Sequence, residues 1–316
     1  MLRLAFAALI AAAGMHSAGA AEVQYYQLPA GAYPHDVAPA ADGTVWYTGQ
    51  RKGFLGRFDP KSGKNEEIPL GAGSAPHGVV VATDGGAWVT DGGQNAIVRV
   101  DPASKAVKVF SLPKDTSNSN LNTPTVGKDG IVWFTGQGGY HGRVDPKSGK
   151  VDVWKSPRNN GPYGITTTPS GDIWYASLAG DYIGKVDTAS GQVTVVDPPK
   201  QRSGPRRVWS DSKGAIWASF WHTGEAARYD PTAKTWKTWA LPKSGSGAYS
   251  VYVDDKDKVW LTDFVANAIV RFDPVTEKFE SFPSDKRGAS VRQMLGRPGE
   301  VWGGESGTDR LVVVRN

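Results

Sequence analysis

Tryptophan returns at a nearly fixed interval: Trp46, Trp88, Trp133, Trp174, Trp217, Trp260 and Trp302 are spaced by 42, 45, 41, 43, 43 and 42 residues. A period near 42 means that the chain is written as seven copies of one unit. The fullest copy runs from Gly161 to Asp187. There Gly161-Pro162-Tyr163-Gly164-Ile165 opens an apolar run, Ser170-Gly171-Asp172 turns it, and Ile173-Trp174-Tyr175 returns. A third run, Tyr182 to Val186, leads through Asp187–Gly191 into a fourth, Gln192 to Val196. The same turn stands at Asp59-Pro60-Lys61-Ser62-Gly63 and at Asp145-Pro146-Lys147-Ser148-Gly149.

Four short strands per repeat, separated by turn residues, predict the blade of a propeller. Such a sheet cannot bury both faces alone and stacks on its neighbours around a ring. The expected fold is therefore all-β, a seven-bladed β-propeller with four antiparallel strands per blade. The repeated tryptophan is expected as the plug between adjacent blades. The last repeat ends after a third strand, Leu311 to Val314. Residues 22–29 resemble a fourth strand that has no blade of its own, so the N-terminal strand is expected to complete the last blade and close the ring.

Residues 1–20 carry Arg3, an apolar run from Leu4 to Gly14 and Ala18-Gly19-Ala20 in the small-residue position of a cleavage site. This reads as an export signal, followed by a single domain over 21–316 in the periplasm or the medium. The signal run is too short to span a membrane, and without cysteine the chain has neither a lipid-anchor site nor a disulfide. The formal net charge of +5 loses one unit with Arg3. That balance favours an anionic ligand and does not imply nucleic acid; the chain is expected to be a monomer.

The residue before the first strand and the residue after the second share one end of each blade, here called the top. Eleven residues before each tryptophan stand His35, His77, Asn122, Tyr163, Arg206, Tyr249 and, allowing for a blade shorter by one, Arg292 in place of Val291. Three residues after it stand Gly49, Asp91, Gly136, Ser177, Phe220, Asp263 and Glu305. The first set varies while its frame repeats, which marks it as the candidate ligand ring. Arg206, Arg207 and Arg292, with Arg202 nearby, are expected to bind an anion at the top opening. His35 and His77 on adjacent blades, with Asp91 across the hairpin, form a candidate divalent-metal or general-base site. His141 and His222 are given no role.

The runs PYGIT…GDIWYA…IGKVD and APHGV…GAWVTD…NAIVRVD resemble the repeats of the virginiamycin B lyase (streptogramin B lyase) family, over all seven units. The resemblance implies a magnesium-dependent elimination that opens an ester in a cyclic depsipeptide. It also implies two histidines in the last two blades, with glutamates nearby and a tyrosine in the first. This chain has Tyr249 and Val291/Arg292 at the first two positions and Tyr33-Pro34-His35 at the last. Glu305 is the acidic position carried over in place, and His35 and His77 offer a similar pair rotated around the ring. Two functions follow: lyase chemistry through His35 and His77, or recognition of an anionic small molecule, glycan or peptide without chemistry.

Overall fold

The computed structural model describes residues 21–315 except Ser117, Ser244 and Ser246, so the export segment lies outside the described residues. Seven four-stranded antiparallel sheets form seven blades, six of them running from first strand to fourth in sequence order and the last taking the N-terminal strand as its fourth. The first strands are Pro34–Pro39, Pro76–Val81, Leu121–Val126, Pro162–Thr167, Pro205–Ser210, Ala248–Val253 and Val291–Arg297, and they define blades 1 to 7. They touch one another around the whole ring, blade 7 meeting blade 1, and so line the central channel.

Closure follows the expected route. Glu22–Gln27 pairs antiparallel with Arg310–Arg315, with Val23 opposite Val314 and Tyr26 opposite Leu311. The edge of blade 7 is thereby covered by the chain's own N-terminal strand. The tryptophans are the plugs. Trp46 packs with Val79 and Val89 of blade 2, Trp133 with Ile165 and Tyr175 of blade 4, Trp217 with Val251 and Leu261 of blade 6, and Trp302 with Val37 and Tyr47 of blade 1. All seven are 3% exposed or less, so truncating one removes a contact worth about 3–5 kcal/mol.

Two local devices aim the channel-facing residues. In every blade the pairing of strands one and two slips near the top, as between Pro34–Gly49 and Val37–Tyr47. In blade 1, His35 and Asp36 together face Thr48 alone, which is a β-bulge. A hydroxyl then fixes the bulge. Thr48 Oγ1 accepts the Asp36 N–H at 3.1 Å and donates to the His77 carbonyl of the next blade at 2.7 Å. Ser219 does the same between the Arg207 N–H, at 3.2 Å, and the Tyr249 carbonyl, at 2.9 Å. Thr90 and Thr135 link Gly78 to Asn122 and Thr123 to Tyr163 in the same way. Each of these hydroxyls stands two residues after a repeated tryptophan.

Candidate functional site

The ring counted from the tryptophans is present: the second residues of the seven first strands are His35, His77, Asn122, Tyr163, Arg206, Tyr249 and Arg292. The bulge adds residues that strict alternation would turn away, and Asp36 and Arg207 enter the channel with them. Arg207, 2% exposed, reaches from blade 5 across the axis. Its Nη2 donates to both oxygens of Asp36 at 3.2 and 3.3 Å, and its Nη1 to Thr123 Oγ1 at 2.9 Å and Gln293 Oε1 at 2.6 Å. One side chain thus ties blades 1, 3, 5 and 7.

The two histidines meet, as the rotated pair requires, with ring centroids 4.1 Å apart. The carboxylate beside them is Asp36 and not Asp91. Ligand atoms of His35, Asp36 and His77 lie within 4.8 Å of one another, and among the described residues no other such group of three includes either histidine. Asp36 follows His35 directly in the sequence, and the consecutive polar pair at a strand start was the available signal.

His35 Nδ1 lies 2.8 Å from Asp36 Oδ1, an arrangement that places the proton on Nδ1 and leaves Nε2 with its lone pair. Burial, and then the guanidiniums of Arg292, Arg207 and Arg206, hold this imidazole well below the ordinary histidine range. His77 is also held well below that range by burial, His35 and Arg207, against the opposing pull of Asp36 and of the Asn122 carbonyl. Both its nitrogens are engaged: Nδ1 donates to the Asn122 carbonyl at 3.0 Å and Nε2 accepts from Asn122 Nδ2 at 3.2 Å. Burial raises the Asp36 carboxyl, and Arg207 offsets this only in part.

These donors fit magnesium poorly. The ion prefers oxygen ligands in octahedral array. The trio offers one carboxylate, already shared between Arg207 and His35, and two imidazoles, of which one is saturated. Three guanidiniums close enough to depress His35 add repulsion.

Asp91 is fully buried and serves its own hairpin. Oδ1 accepts the Ala75, Gly93 and Gln94 N–H groups at 2.8, 3.0 and 3.1 Å, and Oδ2 accepts from Ser74 Oγ and Gln94 Nε2. Glu305 is likewise a structural acid, receiving Ser284 Oγ, Thr308 Oγ1 and Arg310 Nε and forming an ion pair with Arg310. In blades 2 and 7 the acid three after tryptophan is thus consumed by the protein's own loops. Arg202 is exposed and outside the ring, its backbone N–H held by Asp181. His141 stacks between Trp154 and Tyr175 in the core.

Arg206 and Arg292 divide the remaining charge. The Arg206 guanidinium lies 3.8 Å from the Tyr249 ring centroid and 4.5 Å from those of Tyr163 and Trp221, and Nη2 donates to the Tyr163 hydroxyl at 2.7 Å. The two tyrosine hydroxyls are 2.7 Å apart. Burial and Tyr249 push Tyr163 up, whereas on Tyr249 the combined field of Arg206, Arg207 and Arg292 overcomes burial and lowers its hydroxyl.

Arg292 spends only Nε, on Ser306 Oγ at 3.1 Å; its two Nη groups meet no acceptor among the described residues. It lines a cleft of about 270 Å³ at the seam of blades 7 and 1, with Tyr33, His35, Gln50, Arg51, Ser290, Ser306 and Gly307. Among the described residues no carboxylate lines it. Arg51 stands 3.6 Å over the ring of Tyr33, whose backbone takes a φ of 45°. Asp309 of blade 7 holds that loop, accepting the Gly31 and Tyr33 N–H groups at 2.8 Å each.

No curated protein matches the chain. Among solved structures, a streptogramin B lyase superposes with a TM-score of 0.85 at 20% identity, covering 93% of this chain and 97% of that one. A catalytically inactive virginiamycin B lyase from Staphylococcus aureus with quinupristin gives 0.86 at 21% identity, covering 94% and 100%. The extracellular domain of a one component system from B. thetaiotaomicron gives 0.70 at 17% identity, covering 92% of this chain and 40% of that one. Likeness at such identities establishes the propeller alone. The profile of the Virginiamycin B lyase family matches residues 64–316, and the chain belongs to that family.

Proposed function

We propose that the protein is an exported propeller that recognises an anionic small molecule or peptide at the seam of blades 1 and 7. The observation that carries this reading is the cleft itself, where Arg51, Arg292 and a neutral histidine meet with no acidic wall. A guanidinium with free Nη donors is suited to a carboxylate or phosphate. Export rests on the N-terminal sequence; no helix among the described residues is long and apolar enough to cross a membrane. Calorimetric titration of inorganic phosphate at low and high salt tests the reading. Binding that weakens with salt and is lost in Arg292→Ala supports it, and salt-independent binding or an unaffected Arg292→Ala defeats it.

A second reading, the eliminative opening of a cyclic depsipeptide ester, is favoured by one arrangement. His35 is oriented by Asp36, held neutral, and lines the cleft. In that role Nε2 takes the proton from the carbon next to the one that bears the ester's alkyl oxygen, the guanidiniums of Arg51 and Arg292 stabilise the negative charge that develops, and that alkyl carbon–oxygen bond breaks to give an alkene and a carboxylate. Incubation with a depsipeptide panel followed by mass analysis decides it. Ring opening at unchanged mass that His35→Gln abolishes supports elimination; no opening, or a gain of water, rejects it.

A further inference from the structure

Four residues after each repeated tryptophan the chain has left strand two and crosses the top rim, where the seven blades carry Gln50, Gly92, Gln137, Leu178, Trp221, Phe264 and Ser306. Gln50 and Ser306 line the basic cleft. At the same position blades 5 and 6 present two aromatic rings, each partly exposed. The cleft and the two rings thus stand at one level of the rim on neighbouring blades.

The aromatic wall is built and braced. Phe264 stacks on Tyr249 with centroids 4.7 Å apart, and Trp221 meets the edges of both, at 5.6 Å from Phe264 and 5.9 Å from Tyr249. Arg206 is enclosed by Trp221, Tyr249 and Tyr163 and bonded to the Tyr163 hydroxyl, so its charge holds the wall in place. The two walls are also continuous. The Arg292 guanidinium is 5.8 Å from the Tyr249 ring on which Phe264 stacks. Ser290 lines the basic cleft and also the small hollow whose other side is Phe264.

We propose that the ligand is an anion bearing an aromatic or flat apolar group. Its charged head seats between Arg51 and Arg292, and its ring lies against Trp221 and Phe264. This rests on the anion-binding reading and adds the second half of the ligand. The two walls explain each other: a lone arginine cleft on a solvated rim would hold any small anion loosely, whereas a rigid aromatic face beside it adds area at little conformational cost.

Ethyl phosphate and 2-phenylethyl phosphate share one head and differ in the ring, and calorimetry compares them directly. The expected result is that the aromatic ester binds about tenfold or more tightly than the alkyl one. Trp221→Ala should erase that difference, while Arg292→Ala should weaken both. Because Trp221 also braces Arg206, Phe264→Leu serves as a second variant, expected to lose part of the ring's advantage with the melting temperature retained. Equal binding of the two esters, or a difference that survives both aromatic variants, overturns the aromatic half and leaves the anion reading standing. Binding of 2-phenylethanol as tight as its phosphate overturns the anion reading itself.

Discussion

Arg207 and Arg292 are third and second residues of bulged first strands and look into the same channel, yet their surroundings differ in kind. Arg207 is buried and donates to Asp36, Thr123 and Gln293 from three other blades. Arg292 is half-buried and leaves both Nη groups without a partner among the described residues, in a cleft with no acid. A charge whose donors are consumed inside the protein reports on assembly of the ring; a charge with donors left over reports on something that arrives from outside. The arginines that composition alone treats as one basic patch therefore serve two purposes.

The largest test of the contrast is removal of the N-terminal strand. The cleft lies on the seam that strand Glu22–Gln27 closes, whereas the Arg207 contacts span the whole ring. Deleting residues 21–29 should lower the melting temperature by about 10 °C or more, equivalent to a few kcal/mol for a domain of this size, and abolish anion binding with it. A deletion variant that melts with the parent would show that the strand is not the closure.

Next in size is the buried pair. Arg207→Met leaves the Asp36 carboxyl buried without its cation and should cost about 3–5 kcal/mol in chemical denaturation. Adding Asp36→Leu should recover most of that loss. Arg292→Ala, by contrast, should cost no more than about 1 kcal/mol of stability. Equal losses at the two arginines would erase the distinction.

Acid should act first on the paired histidines. His35 and His77 are held below the ordinary histidine range when folded, so between their folded values and about pH 6.5 the unfolded chain binds more protons. Their contribution is complete above pH 6.5 and falls as pH drops, by up to about 1.4 kcal/mol per pH unit for each histidine. Asp36, with its carboxyl raised, acts with the opposite sign above the ordinary aspartate range and blunts the fall. Melting curves from pH 7 to 5 should slope less in His77→Gln than in the parent; identical slopes would show that His77 is not the sensor.

The smallest expected effect concerns Asp91. Asp91→Asn retains an acceptor for the loop N–H groups and should cost about 1–2 kcal/mol, leaving phosphate affinity unchanged. A loss of affinity would return Asp91 to the site.

The architecture was legible because it depends on spacing. Turn chemistry marks the four strands of each unit, the tryptophan interval counts the units, and an unpaired fourth-strand pattern before blade 1 finds its partner at the chain's end. Counting back from tryptophan also placed the ring residues, including the shift to Arg292 in blade 7. What spacing misses is any departure from alternation. A bulge turns two consecutive residues the same way, so a count of single positions leaves out Asp36 beside His35 and groups Arg207 with the ligand-facing arginines. Asp91 and Glu305 misled for a different reason: an acid at the end of strand two looks functional in one dimension, but there it meets backbone N–H groups of its own turn or a neighbouring arginine. Trp221 and Phe264 stand one residue beyond the position counted and were missed by that single step.

The hydroxyl bridges at Thr48, Thr90, Thr135 and Ser219 bear on how such a protein acquires a new ligand. They grip the backbone N–H of one blade and the backbone carbonyl of the next, and never the side chain of the residue they hold. The frame is thus indifferent to what it displays, and histidine, asparagine or tyrosine can be exchanged at a gripped position without rebuilding its neighbours. Blades 4 and 7 carry Ala176 and Gly304 where the hydroxyl would be, so the carbonyls of Arg206 and His35 lack this grip. Grafting of foreign recognition residues should therefore succeed most readily at His77, Asn122, Tyr163 and Tyr249, whose carbonyls are held.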